Sequence, residues 1–123
     1  MSFAVRETVA ITVDATGDSI DYTGVVNGRI LQVAYVKDDF ADGTDFVIST
    51  EDTLQAIWTG TNVNASVVVT PRAATTDTAG AASLYAAGGE PVEDYIWAVN
   101  ERIKIVTDEG GVSKSGTIHV IVG

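Results

Sequence analysis

Apolar residues recur mainly at every second position along this chain, which is the spacing of β-strands rather than of helices. Residues 3–13, FAVRETVAITV, are rich in Val, Thr and Ile and end at the turn-forming stretch DATGD. The stretch SIDYTG, closed by Gly24, predicts a short second strand. Roughly eight or nine such strands with turn signals between them, and no convincing amphipathic helix, indicate an all-β protein.

The stretch GRILQVAYVK carries its larger apolar side chains on one of its two faces, and we predict that this face meets the core. The residues of that face are Arg29, Leu31, Val33, Tyr35 and Lys37, and those of the other face are Ile30, Gln32, Ala34 and Val36.

Two later segments give further strand predictions. In EDTLQAIWTG, Leu54, Ala56 and Trp58 share one face, and we expect Trp58 and Trp97 to pack in the core. The end of the chain predicts a β-hairpin, whose arms are Arg102–Thr107 and Thr117–Val122 and whose loop is DEGGVSKSG.

A long segment rich in Ala and Gly, Ala73–Gly89, predicts a loop with room for a short strand at Ser83–Ala86. Loops of this length within a compact domain are usually functional or flexible. The pattern as a whole predicts one domain, residues 1–123, built as an antiparallel β-sandwich of the jelly-roll or immunoglobulin-like type with this long loop.

Composition narrows the classes of function. The 123 residues include no cysteine, which excludes disulfides, thiolate metal sites and a cysteine nucleophile. Asp and Glu number 17 against 7 Lys and Arg, so the net charge is -10, and the cations are dispersed along the sequence. Such a chain repels a phosphate backbone, so we expect no nucleic-acid binding.

The N-terminal residues do not resemble a secretory signal, and no apolar stretch reaches the ~18 residues of a membrane helix. We therefore expect a soluble protein, made in the cytoplasm, without a membrane partner.

The acidic stretch KDDFADGTDFVIST, Lys37–Thr50, invites comparison with a calcium-binding EF-hand loop. With Gly43 at the invariant glycine position, Phe40 and Ser49 fall on ligand positions that neither can serve properly, so the motif fails. Asp39, Asp42 and Asp45 remain weak candidates for a calcium site of another kind. The favoured interpretation is a turn in which Gly43 supplies a positive φ and the aspartates cap the backbone.

No set of residues has the pattern of a catalytic site. His119 is a lone histidine on a predicted strand, and the chain has no Gly-x-Ser-x-Gly nucleophile motif. The stretch GGVSKSG lacks the glycine that precedes lysine in a phosphate-binding loop and is not followed by a helix. We therefore predict that the protein is not an enzyme and binds no cofactor.

Three segments resemble a family of small tailed-bacteriophage virion proteins: DFVISTEDTLQAI (45–57), VVVTPRA (67–73) and ERIKIVTDEGGVSKSGTIHVIVG (101–123). These are fold signatures rather than catalytic signatures. The resemblance implies a head decoration (cement) protein that binds the outer capsid surface and stabilises neighbouring major capsid subunits. It further implies a phage-head location after assembly in the host cytoplasm. It also implies a homo-oligomer, with a trimer favoured over a dimer, or a monomer that oligomerises on the capsid.

For a protein of this kind, the N-terminal residues Met1–Val5, the Asp38–Asp45 loop and the Ala73–Gly89 loop are the predicted contact elements. The individual contact candidates are Met1, Ser2, Phe3, Phe40, Arg72, Leu84 and Tyr85. Two other functions stay open at this point: a phage neck or tail protein that contacts a receptor, and a small calcium-binding β-domain.

Overall fold

The computed structural model describes residues 4–123, and within them the chain forms nine β-strands and no α-helix. Every strand pair is antiparallel. The all-β, antiparallel prediction is confirmed. The strands are β1 (Val5–Thr12), β2 (Ser19–Lys37), β3 (Thr44–Thr50), β4 (Ala56–Val63), β5 (Val67–Val69), β6 (Ala73–Ala74), β7 (Glu93–Asp94), β8 (Ile96–Asp108) and β9 (Ser115–Val122).

One curled sheet holds seven of the strands, in the order β1-β9-β2-β8-β3-β4 with β5 paired to β2, while β6 and β7 form a separate two-stranded sheet. The predicted hairpin of the last two long strands is wrong, because β2 lies between them. With 19 residues, β2 is long enough to pair with β8 along its first half and with β9 along its second half. Long-range pairing has thus replaced the local one.

Strand β2 runs without a break through the position where the sequence predicted a stop. Gly24 lies at a register shift between Tyr22 and Val25, so it bends the strand and does not end it. A further register shift, between Ile30 and Gln32, reverses which residues of the strand point toward the core. Ile30 and Val33 are therefore both buried, and the predicted core face of this segment is only partly correct.

Aromatic side chains show how far the sheet curls. The rings of Tyr35 on β2 and Phe46 on β3 lie 4.7 Å apart, although β8 separates these strands in the sheet. Burial also raises the pKa of Tyr35 to about 12. Contact between side chains from non-adjacent strands means that the sheet folds over a shared core, filled mostly by Ile and Val side chains.

Phe40 belongs to this core, which corrects its prediction as a contact residue. It is 2% exposed, and its ring lies 6.1 Å from the rings of Tyr35 and Phe46. The backbone on either side is held by hydrogen bonds from Asp39 to Ser115 and from Ala41 to Gly110. These bonds turn the acidic loop inward, so that Phe40 closes one end of the core.

The predicted face of EDTLQAIWTG is also wrong in part. Leu54 lies in a turn with a φ of 58° and is exposed, and β4 begins only at Ala56. Ile57 is buried, whereas Trp58 is half-buried and stacks on Phe46 at 5.9 Å. The pairing of β3 with β4 has a register shift at this point: Ile48 pairs with Trp58, and the next residue, Ser49, pairs with Ala56. Ile57 is therefore an extra residue on β4, and the alternation predicted from the sequence does not hold across it.

Replacing Gly116 with alanine is expected to destabilise the protein by about 1–3 kcal/mol, because a methyl group has no room there. A Cβ atom at Gly116 would lie 2.6 Å from Cε2 and 2.8 Å from Cδ2 of Phe40. Urea unfolding measures the loss. In the Phe40→Leu background the same change should cost less, since the ring that it meets is gone. An equal cost in both backgrounds would show that Phe40 is not the obstacle.

Candidate interaction surface

The exposed side of β2 and β8 carries an unusual combination of apolar and cationic side chains. Cross-strand partners lie on the same side of an antiparallel sheet, and the register places Arg29 opposite Trp97, and Tyr22 opposite Lys104. We call this surface the outer face, and it consists of Tyr22, Val25, Arg29, Trp97, Val99, Arg102 and Lys104.

Trp97 is 60% exposed, so the prediction that it packs in the core is wrong. Ile96 and Ala98 on either side take the inward positions and are buried. Strand β8 is thus apolar on both of its sides at this point, which is typical of strands covered on both faces. That double apolar pattern is the sequence signal that could have pointed to the outer face.

The cationic groups of the outer face lie close to aromatic rings and to a carboxylate. The Arg102 guanidinium lies 4.0 Å from the centre of the Tyr22 ring. It also donates to both carboxylate oxygens of Glu51, with Nε 2.7 Å from Oε2. These hydrogen bonds from Arg102 lower the pKa of Glu51. The pair is part of the edge of the face and stays charged at neutral pH.

Tyr95 joins the outer face to the segment that precedes it. The guanidinium of Arg72 lies 4.0 Å, and that of Arg29 5.1 Å, from the centre of its ring. Stacking of this kind contributes about 0.5–1 kcal/mol at exposed sites. Within residues 4–123, neither arginine pairs with an Asp or Glu side chain. Arg72, a predicted contact residue, therefore lies beside a cationic and aromatic cluster.

Between Arg72 and Tyr95 the chain leaves the main sheet as an excursion that we call the arm, residues 73–94. Three backbone hydrogen bonds of 2.8–3.0 Å close a triangle at its centre. Thr75 N–H donates to Val92, Val92 N–H donates to Ser83, and Ser83 N–H donates to Thr75. The arm thus has a defined backbone, fixed by hydrogen bonds rather than by a core.

The long loop predicted here is confirmed as irregular chain, although isolated bridges replace the short strand predicted at Ser83–Ala86. No residue from 73 to 94 is buried. Tyr85 is 76% exposed and Leu84 is exposed beside it, so both predicted contact residues face outward. The arm carries four acidic residues and no lysine or arginine: Asp77, Glu90, Glu93 and Asp94.

The acidic loop behaves as a turn. Gly43 has a φ of 88°, as predicted from its place between the aspartates. Among residues 4–123 no group of three or more His, Cys, Asp or Glu side chains is arranged to hold a metal ion. The three candidate ligands have separate partners: Ser115 donates to Asp39, Lys37 to Asp42 at 3.0 Å, and Asn62 N–H to Asp45 at 2.8 Å.

Of the other predicted contact residues, Met1, Ser2 and Phe3 lie outside the described residues.

Sequence reasoning missed Glu101, a carboxylate only 4% exposed. It accepts hydrogen bonds from the backbone N–H groups of Asp52 and Thr53 and from the Thr53 hydroxyl, at 2.9–3.2 Å. Burial raises the pKa of Glu101, but these hydrogen bonds together outweigh burial and lower it. Glu101 thereby fixes the turn between β3 and β4, where Thr53 and Gln55 line a groove beside Trp97.

A second acidic site lies at the far end of the sheet, where Asp14, Asp18 and Asp108 border a groove of about 550 Å³. Hydrogen bonds from Thr16 lower the pKa of Asp14. The hydrogen bond and the charge of Asp18 instead raise the pKa of Asp108. The two ionised carboxylates repel each other, so this end of the molecule is destabilised at neutral pH.

Replacing Asp108 with asparagine is expected to raise the Tm slightly at pH 7. A raised pKa in the folded state means that the stabilising contribution of the protonated group is lost as pH rises through the folded pKa. The gain from Asp108→Asn should therefore shrink as pH falls through the raised pKa of Asp108, because the wild-type group becomes protonated too. Thermal unfolding at several pH values measures it, with Asp38→Asn as the control. A gain that persists unchanged at low pH would contradict the repulsion.

No family model matches the chain, and no curated protein matches it. No part of residues 4–123 forms an apolar helix with the length that a bilayer crossing requires.

Proposed function

We propose that this chain is a structural phage virion protein, a capsid decoration or cement protein that binds the outer head surface and stabilises neighbouring major capsid subunits. The observation that carries the proposal is the uncovered outer face around Trp97, next to an exposed arm without a core. Exposed apolar patches of this kind are typical of sites where proteins associate. The reason for proposing a phage virion is the resemblance of three segments to phage virion proteins: residues 45–57, 67–73 and 101–123.

The physical basis of such a role is buried interface area rather than chemistry. A protein that binds assembled subunits better than separated ones stabilises the assembly by mass action. Trp, Tyr and Arg are the residues that most often dominate binding energy, and the outer face presents Trp97, Tyr22 and Arg29. The proposed partners are the major capsid protein and further copies of this chain. The role includes no catalytic step, and the net charge of -10 argues against a nucleic-acid partner.

We also infer that the curled sheet forms a β-sandwich of the jelly-roll or immunoglobulin-like type. The contact between Tyr35 and Phe46 supports this inference, since it joins non-adjacent strands across the core. A rigid two-layered body would hold the outer face flat while the arm projects from it.

The test is to locate and count this chain in intact particles of the phage that encodes it. Cryo-electron microscopy should show its density on the outer head surface, and quantitative mass spectrometry should give a copy number comparable to that of the capsid lattice. A few copies at the neck or tail would overturn the decoration role and favour the neck or tail alternative. A particle that lacks the chain would overturn the virion assignment.

A further inference from the structure

We propose that the arm of one copy packs on the outer face of a second copy, so that the protein associates with itself through an arm-to-face contact. The inference rests on the proposed function, because it names a binding partner for the outer face, the surface on which that function is based. The contact itself would be a property of the isolated chain.

The outer face has an apolar centre that nothing in the described chain covers. Trp97 is 60% exposed, and Val25 and Val99 on the same face are exposed to a similar degree. Burying such side chains is worth roughly 25 cal/mol for each Å² of apolar surface removed from water. A partner with apolar groups at its tip would gain most by covering this centre. Leu84 and Tyr85 on the arm are such groups.

The charges of the two surfaces are complementary. The outer face holds three of the seven cations of the chain: Arg29, Arg102 and Lys104. Arg102 is already paired with Glu51, so within residues 4–123 the unpaired positive charge of this face is that of Arg29 and Lys104. The arm is the opposite, with four carboxylates and no cation. Because the chain as a whole carries a charge of -10, two copies repel each other in most orientations. The arm-to-face orientation brings unlike charges together, and complementarity of this kind selects one mode of docking.

The arm of the same copy leaves the outer face uncovered. It leaves and rejoins the sheet at Arg72 and Tyr95, and both Trp97 and Tyr85 stay exposed when it is in place. The triangle of hydrogen bonds between Thr75, Ser83 and Val92 also gives the arm its shape before it binds. Less conformational entropy is therefore lost when it docks, which favours affinity.

The contact joins two different surfaces, so every copy keeps one free arm and one free face after a single contact. Contacts of this type close into a ring or continue as a filament. A closed ring of identical copies fits a protein that is expected to be a homo-oligomer.

The lack of cysteine in the chain makes a direct test simple. One variant carries Tyr85→Cys on the arm and another carries Val99→Cys on the outer face. Mixing the two under mild oxidation should give mainly the mixed disulfide between arm and face. The matched control replaces Val99→Cys by Val112→Cys, an equally exposed position in the loop between β8 and β9. Equal yields of mixed disulfide with Val99→Cys and with Val112→Cys would overturn the contact.

Sedimentation velocity of the isolated protein tests the affinity. Wild type should be an oligomer, and Trp97→Ser should weaken association by about tenfold or more, as for a central interface residue. Val112→Ser should change nothing, and circular dichroism verifies that each variant is folded. A wild-type protein that stays monomeric at every concentration, or a folded Trp97→Ser variant that associates normally, would overturn the inference. Binding to phage heads, scored separately by co-sedimentation, tests the proposed function, so the two failures are distinguishable.

Discussion

Replacing Phe46 with alanine is expected to lower the free energy of unfolding by about 3–5 kcal/mol. Phe46 is fully buried, and its ring contacts those of Tyr35, Phe40 and Trp58. Alanine would remove all three contacts and leave a cavity at the point where the curled sheet closes on itself. Urea unfolding gives the loss from the shift in midpoint at constant slope.

Val47→Ala is the matched control, because Val47 is the next residue on β3 and its side chain points to the solvent side. It should cost well under half as much, since about half of that side chain is exposed already. Similar losses for the two variants would mean that the burial of this strand does not alternate as the structure has it.

Replacing Glu101 with alanine is expected to lower the Tm by roughly 5–10 °C, because it leaves three part-buried donors of the β3–β4 turn without an acceptor. Asp52 N–H, Thr53 N–H and the Thr53 hydroxyl would lose their shared partner. Glu93→Ala, an exposed glutamate on the arm, should leave the Tm nearly unchanged. A Tm equal to that of wild type for Glu101→Ala would show that water satisfies the turn as well as the carboxylate does.

The same carboxylate gives the stability of the protein a defined pH dependence. Because the pKa of Glu101 is lowered in the folded state, its contribution is present above the unfolded value of about 4.3 and is lost as pH falls through the folded pKa. Glu51, Asp14 and Asp39 have lowered pKa values too and act in the same direction. Wild type should therefore lose stability below about pH 4. In the Glu101→Gln variant, stability should fall less steeply as pH decreases. An unchanged fall would show that Glu101 does not contribute to the loss of stability in acid.

The arm and the outer face differ in how far the sequence revealed them. Ala73–Gly89 was recognisable because glycine, alanine and turn residues interrupt every regular pattern there. Leu84 and Tyr85 in this segment are exposed, as contact residues on a loop would be, whereas the prediction that Trp97 is buried is wrong. A tryptophan within an apolar strand is normally predicted to lie in the core. When both sides of the strand are apolar, the sequence does not indicate which side the rest of the protein covers.

The sequence by itself determined the all-β class, the turn at Gly43 and the acidic charge of this protein, because the two-residue period, the glycine in its turn and the count of carboxylates are all local properties. Only the tertiary structure decided which strands pair, which side of each strand is buried and where Glu101 finds its donors. The physical reason is distance along the chain. Strand β2 separates β8 from β9. A register shift between Ile30 and Gln32 changes which side of β2 is buried, and Glu101 accepts a hydrogen bond from Asp52, 49 residues away in the sequence. Contacts between residues so far apart depend on how the whole core packs, and they produce no repeating pattern in the sequence from which they could be predicted.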